Sequence, residues 1–367
     1  MKHQQNRLRI ISAIVLLPVV VLPFADNNTI FSYPLAILYG IVLTLTLVLT
    51  ATRFISQHSI LWANAITTLS GGLAVLFLLD NFMQAHSGYW FLLLSAWLQT
   101  WYFSALLTHN DKQVYGAQYI VPLLFGIALL ILWEAIVRGA NISPVLLPPP
   151  SAIAVRFASE TAILFADFRQ TVLKAALIGY LIGCCSGAAV AVATDRIPFL
   201  RRGLLPLGNF VSALPIIGIA PIMVMWFGFD WQSKAAVVIV MTFFPMLINT
   251  VAGLRDHSTI ESDLMSTYAA SYRQRLIKLN LPAALPFIFN ALKINSTLAL
   301  IGAIVAEFFG TPIVGMGFRI STEVGRMNLD VVWAEIAVAA LTGTIFYGIL
   351  SLLEKWLAFW HPSIRHT

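Results

Sequence analysis

The sequence predicts an all-α integral membrane protein with about ten transmembrane helices. Three observations carry that expectation. Of 367 residues, 59% are hydrophobic and only 10% are charged, against about 25% charged in an average soluble domain. Such a chain has too little polar surface to cover a water-soluble globule. Ten apolar runs approach the roughly 20 residues that cross about 30 Å of hydrocarbon. The basic residues gather in the links on one side of these runs, the asymmetry that orients membrane spans.

The runs lie at residues 9–25, 33–51, 59–79, 89–107, 117–137, 171–193, 207–228, 233–253, 284–307 and 331–354. With the N-terminus in the cytoplasm, Lys2, Arg7, Arg9, Arg53, Lys112, Arg196, Arg201, Arg202, Arg255, Arg273, Arg275, Lys278, Lys355 and Arg365 fall inside. Arg138, Arg156, Arg169, Lys174, Lys234, Arg319 and Arg326 fall outside, a bias of about two to one that places both termini in the cytoplasm. The net charge of +6 therefore reflects membrane orientation, and no nucleic-acid partner is expected. The first run follows a basic stretch and contains Pro18 and Pro23, so a cleaved signal peptide competes with an uncleaved span. The uncleaved span is preferred.

Four runs fill the first 110 residues, and the polar link His109 to Gln113 sets a border between modules at 1–112 and 113–367. Nothing in the first module points to chemistry, since Asp80 and His86 belong to an outer link. Packing, assembly or targeting is its expected role. Beyond the fifth run, Pro148, Pro149 and Pro150 favour extended chain and then start a helix. Apolar positions at helical spacing over 151–169 predict a short amphipathic helix on the outer membrane surface.

In the sixth run Gly179, Gly183, Gly187 and Ala191 recur every four residues, a small-residue face that lets another helix approach closely. Cys184 and Cys185 are neighbours within that run, where a disulfide would be strained, and they read as small membrane-helix residues. The seventh run holds Pro215, Gly218 and Pro221, which disturb the helical hydrogen-bond ladder. Two readings stay open: a broken helix beside a water-filled path, or a packing kink.

The longest inner link, Leu254 to Leu285, has apolar residues at 264, 265, 268, 276 and 279 that suit short helices. A link of that length in a compact protein is usually functional or disordered, and its composition is not that of a disordered segment. It resembles the coupling loop of binding-protein-dependent ABC importer permeases, whose pattern is Glu-Ala-Ala, three residues, Gly, nine residues, Ile, one residue, Leu-Pro. Asp263 stands for the glutamate, Ala269 for the glycine and Leu279 for the isoleucine, and Leu281-Pro282 matches in full. Leu264 and Met265 replace the two alanines. Leu132-Trp133-Glu134, Leu147 to Ser151, Trp226 to Phe229, Phe244-Pro245 through Gly253, Pro282 to Pro286 and Ala306 to Phe308 resemble the sulfonate, taurine, nitrate and pyrimidine-precursor branch of that family.

That resemblance implies a type I importer core formed by the last six spans, in the inner membrane of a bacterium. It implies two permease copies around one path, a cytoplasmic ABC ATPase dimer that carries ATP and Mg, and an extracytoplasmic solute-binding protein. The chain itself would bind no cofactor or metal and be a transport subunit, not an enzyme. It contains no Gly-rich phosphate loop ending in Gly-Lys-Ser or Gly-Lys-Thr, the loop that cradles nucleotide phosphates. Asp263, Tyr268, Ala269, Ala270, Ser271, Arg273, Leu281 and Pro282 are the expected ATPase-coupling residues. The implied solute is small and polar or anionic, with a pyrimidine-type vitamin precursor and an alkanesulfonate as leading options.

Ser212, Pro215, Met223, Trp226, Asn249, Asn295 and Ser296 are the candidates for lining the path, although polar groups on membrane helices more commonly bond to a neighbouring helix. Lys293 is a basic residue inside a run, and its long stem can snorkel to the interface. A structural role is preferred there over solute contact. Glu134, Glu307 and Glu335 read as structural positions near outer or interfacial levels. The alternative class, an ion-coupled secondary transporter, calls for acidic or histidine residues near the midplane and repeated halves. A membrane enzyme calls for clustered catalytic groups at one membrane face. Neither pattern stands out.

Overall fold

The computed structural model describes residues 14, 34–51, 57–81, 85–109, 116–212, 214–310 and 313–360. Every regular element among them is helical. The first five helices are α1 Pro34–Ala51, α2 Gln57–Asn81, α3 Ser87–His109, α4 Ala117–Gly139 and α5 Pro150–Ser159. There follow α6 Thr161–Arg196, α7 Pro198–Ser212, α8 Ile216–Phe227, α9 Trp231–Gly253 and α10 Thr259–Thr267. The last three are α11 Tyr272–Glu307, α12 Met316–Gly325 and α13 Leu329–Leu357. Seven of the described helices, α2, α3, α4, α6, α9, α11 and α13, are long and apolar enough to cross a membrane, while α1 and α8 contribute shorter apolar helices. The first apolar run, 9–25, lies outside the described residues but for Ile14, and so does the expected border at 112/113.

Contacts divide the chain into two units between Ala154 and Val155. In the first, α1 to α4 bury Tyr39, Leu43, Val75, Leu78, Tyr89 and Leu92. Three pairs of polar groups are matched inside this unit, which offsets the cost of removing them from water. Tyr39 and Ser95 hydroxyls lie 3.0 Å apart, Thr46 and Thr67 hydroxyls 2.8 Å apart, and Gln99 donates to Asn64 at 3.1 Å. The start of α5 is held from α4, where the Glu134 carboxylate accepts Ser151 N–H at 2.9 Å and Ser151 Oγ at 2.6 Å. The amphipathic outer helix expected over 151–169 is shorter than its sequence pattern suggests. It ends at Ser159, and residues from Thr161 onward belong to α6.

The second unit is organised around α9, flanked by α6 and α11. The approach of α6 is set by small residues. A methyl at Gly179 would lie 2.6 Å from Val238 Cβ, one at Gly187 would lie 2.5 Å from the Phe243 carbonyl, and one at Gly183 would overlap Thr242 Oγ1. On the other side Ala291, Ala299 and Ala303 of α11 complete a core with Tyr180, Cys184, Val238 and Met246. Both cysteines are free.

α6 and α11 each run for 36 residues, about 54 Å at 1.5 Å per residue. Each contains a π-helical stretch, Arg169–Ala176 and Leu276–Asn280. The second immediately precedes Pro282, where a local change of register accommodates a ring and a missing amide donor. The seventh apolar run is not one helix. α7 ends at Ser212, Pro215 is extended with ψ 124°, and α8 has 12 residues, about 18 Å long. Of the disturbances expected from Pro215, Gly218 and Pro221, the interruption falls at Pro215, which fixes its own backbone and restricts its neighbour, while Gly218 and Pro221 lie within α8.

Buried charges bind the far end of α6 to α11 and α12. Asp167 accepts Gly315 N–H at 2.7 Å and Arg319 Nε at 2.8 Å. Thr171 donates to Glu307 at 2.8 Å and accepts Met316 N–H at 2.8 Å, and Glu307 accepts Gly317 N–H at 2.7 Å. Lys234 donates to the Phe229 carbonyl at 2.6 Å and to the Gly310 carbonyl. Lys293 forms a 2.7 Å ion pair with Glu354 of α13, a lateral partner in place of the interface its stem was expected to seek.

Candidate functional site

The segment between α9 and α11 is an ordered helix–turn–helix. α10 starts in a capping box, with Ser258 Oγ accepting Glu261 N–H at 3.2 Å and Glu261 Oε2 accepting Ser258 N–H at 2.8 Å. These bonds from the Ser258 backbone and hydroxyl hold the Glu261 carboxyl below its ordinary range, so the cap carries full charge at neutral pH. α10 ends in a reversal in which Ala269 N–H bonds to the Ser266 carbonyl and Ala270 N–H to the Met265 carbonyl, both at 3.0 Å. That is a Schellman pattern, and it puts Ala269 at φ +47°. The left-handed conformation explains why the resembling families place glycine here.

A second capping box opens α11. Ser271 N–H donates to Gln274 Oε1 at 2.8 Å, and Ser271 Oγ accepts Gln274 N–H at 3.4 Å. Arg275 closes the turn by donating to Ser262 Oγ at 2.6 Å. Tyr272 ties it to the end of α6, its hydroxyl 3.3 Å from Asp195 Oδ2 and its ring 5.4 Å beneath the Arg196 guanidinium. Helix α11 therefore starts at Tyr272, and the link expected to run to Leu285 ends about a dozen residues earlier. Asp263, Tyr268, Ala269, Ser271 and Arg273 are exposed, Ala270, Leu281 and Pro282 partly so. Ile260, Leu264 and Tyr268 follow one another at four-residue spacing, the spacing of one helix face, and expose 79%, 55% and 78% of their surface. Ile260 was not among the coupling candidates, although its spacing to Leu264 and Tyr268 is written in the sequence.

The path candidates occupy several places. Ser212 closes α7, and Pro215 opens the step to α8. Met223 packs against Ala220, Val237 and Ala306, whereas Trp226 is largely exposed. Asn249 donates to the carbonyl one turn back, Pro245, at 2.8 Å. Asn295 is fully buried, donating to the Thr242 carbonyl at 2.8 Å and to Cys184 Sγ at 3.3 Å, so it joins α11 to α9 and α6. Ser296 is buried and donates to the Lys293 carbonyl at 2.7 Å. Among the described residues no group of three His, Cys, Asp or Glu side chains could hold a metal ion.

Residues 163–359 match the family described as the binding-protein-dependent transport system inner membrane component. The chain belongs to this family. It is 31% identical over 246 residues to the formylaminopyrimidine transport permease protein ThiX of Halalkalibacterium halodurans, covering 67% of this chain and 98% of that protein. It is 30% identical over 237 residues to the riboflavin transport system permease protein RibX of Chloroflexus aurantiacus, covering 64% of this chain and 88% of that protein. The taurine transport system permease protein TauC of Escherichia coli is 26% identical over 243 residues, with 65% and 88% covered. This chain is thus a membrane-spanning permease of the ABC importer family, and α10, α11 and all the coupling candidates fall inside the matched residues. Helices α1 to α5 precede the match.

Proposed function

We propose that this chain is the membrane subunit of an ATP-driven importer for a small polar or anionic organic solute, with both termini in the cytoplasm of a bacterium and its spans in the inner membrane. The observation that carries the reading is the exposed row Ile260, Leu264 and Tyr268 on a helix fixed by a capping box at its start and a Schellman reversal at its end. A row of large apolar groups in water is costly, and burying each against a partner is worth about 1.5–3 kcal/mol. A cleft on a cytoplasmic ABC ATPase, which binds the ATP and Mg, is the partner we assign to it, with Asp263, Ala269, Ala270, Ser271 and Arg273 around its rim and Leu281-Pro282 at its root.

Two copies of the chain would enclose one path, loaded by an extracytoplasmic solute-binding protein. Pro215, Met223, Trp226 and Asn249 are assigned to its wall, with Ser212 at the break, while Asn295 and Ser296 support that wall from within the α6–α9–α11 bundle. Residues 113–367 form the permease core in this reading, and residues 1–112 are a four-span addition. The names of the relatives favour a pyrimidine-type vitamin precursor or an alkanesulfonate as solute.

The test is co-purification. Solubilised in mild detergent, the chain should retain a cytoplasmic ATPase, and Ile260→Ser with Leu264→Ser should release it without loss of membrane insertion. Absence of any bound ATPase, together with uptake that survives ATP depletion and collapses with an ionophore, would establish an ion-coupled carrier instead.

A further inference from the structure

The sequence puts seven basic residues on the side away from the coupling segment, and five of them are engaged, four by carboxylates and one by carbonyls. Arg138 pairs with Glu134 at 3.4 Å, Arg156 with Asp330 at 2.8 Å, Arg319 with Asp167 at 2.8 Å and Arg326 with Glu323 at 2.9 Å. Lys234 is buried and spends its ammonium on two carbonyls. Arg169 and Lys174 remain. Among the described residues neither makes an ion pair or a side-chain hydrogen bond, and both line the same pocket of about 300 Å³, with Gln170, Asp230, Ala166 and Val314.

Their convergence is a product of the π-helical stretch Arg169–Ala176. In an α-helix, residues five apart point about 140° away from each other. In a π-helix the i→i+5 bonding sets residue 174 one turn above residue 169, on the same face; the Leu177 N–H bonds to the Val172 carbonyl in this register. The single carboxylate among the described lining residues, Asp230, is committed by Oδ1, which accepts Gln170 Nε2 and Trp231 N–H, both at 2.8 Å. Two cations against one carboxylate leave the pocket with a net positive charge. Arg169 is exposed and Lys174 half-buried, so the pocket is open to solution, and its volume is at the small end for ligand sites.

We propose that Arg169 and Lys174 form a receiving site for a small oxyanion, the charged end of the solute, at the end of α6 opposite the coupling segment. The proposal rests on the importer reading and narrows its solute class from polar or anionic to anionic. Lipid phosphate offers the same chemistry, and the experiment separates the two sources.

Equilibrium dialysis of methanesulfonate against the full chain in an uncharged detergent should show saturable binding, with neutral methanesulfonamide not bound. Arg169→Gln and Lys174→Gln should each weaken methanesulfonate binding about tenfold, the loss of one charge-assisted hydrogen bond, and Arg169→Lys should retain most of it. Equal binding of the neutral compound, or unchanged binding in both glutamine variants, would overturn the proposal. So would a result in which methanesulfonate does not bind and the variants instead lose affinity for phosphatidylglycerol vesicles, which would assign the pocket to a lipid headgroup. ATPase co-purification by the glutamine variants should match that of the unaltered chain. Failure of the unaltered chain to hold an ATPase would remove the importer reading and leave the anion titration as an independent result.

Discussion

Ala269→Gly should stabilise the turn that presents α10. Ala269 sits at φ +47°, where an L-residue with a Cβ is disfavoured by about 1–2 kcal/mol. Glycine removes that strain but costs about 0.5–1 kcal/mol in lost chain freedom on folding. The net gain is about 0.5–1 kcal/mol, a roughly two- to fivefold shift in the opening equilibrium. Ala269→Val moves the other way, because a branched side chain is a steric outlier there.

Hydrogen exchange reads the effect directly, since Ala269 and Ala270 amides close the turn on Ser266 and Met265. Exchange over the peptide spanning 264–272 should slow about two- to fivefold in the glycine variant and accelerate in the valine variant. ATPase co-purification should hold for the first and fall for the second. If the glycine variant exchanges faster, or valine leaves both exchange and ATPase binding unchanged, the left-handed turn does not hold the coupling segment together.

Four further outcomes follow from the geometry. Gly183→Ala should lower thermal stability in detergent by the overpacking cost of about 1–3 kcal/mol, because its methyl would collide with Thr242, whereas Gly348→Ala, with open space around it, should be neutral or slightly stabilising. Lys293→Met should cost about 3 kcal/mol by leaving Glu354 unpaired at 15% side-chain exposure, and Lys293→Met with Glu354→Leu should recover most of it; a double variant no better than the single would remove the pairing as cause. Tyr268→Ala should leave the melting temperature unchanged and weaken ATPase binding about tenfold or more. Since the folded-state carboxyl of Glu261 is lowered, its capping contribution is complete at neutral pH and is lost only as pH falls through that lowered value; Glu261→Gln should remove the charge-dependent part of this pH response, measured by exchange of the α10 amides.

Much of the fold was legible because membrane crossing imposes a length, and apolar runs such as 233–253 and 331–354 register directly as α9 and α13. The turn at Ala269 falls where the spacing from Asp263 to Leu281-Pro282 puts the glycine of the resembling pattern. What escaped depended on partners far away in sequence or on local register. The start of α11 at Tyr272 was hidden by Arg273, Arg275 and Lys278, whose charges read as a link between spans without preventing a helix. Glu354 is 61 positions from Lys293, and nothing near either residue announces the other. The shared face of Arg169 and Lys174 needs a π-helical register, which apolar periodicity does not encode.

The ends of α6 and α11 explain how a movement at the coupling segment would travel. At one end Tyr272 of α11 contacts Asp195 of α6, and Arg275 holds α10 through Ser262. At the other end Glu307 of α11 receives Thr171 of α6, while Asn295 joins the bundle midway through Thr242 and Cys184. Two helices of about 54 Å, fastened at both ends and packed through glycines onto α9, resist sliding past one another. On the proposed importer function, a displacement of α10 would therefore move α6, α9 and α11 as one body. Rigid-body motion of such a bundle is one of the established forms of two-state transition. It also explains the value of a stiff turn at Ala269, since compliance there would dissipate the displacement before it reached the membrane.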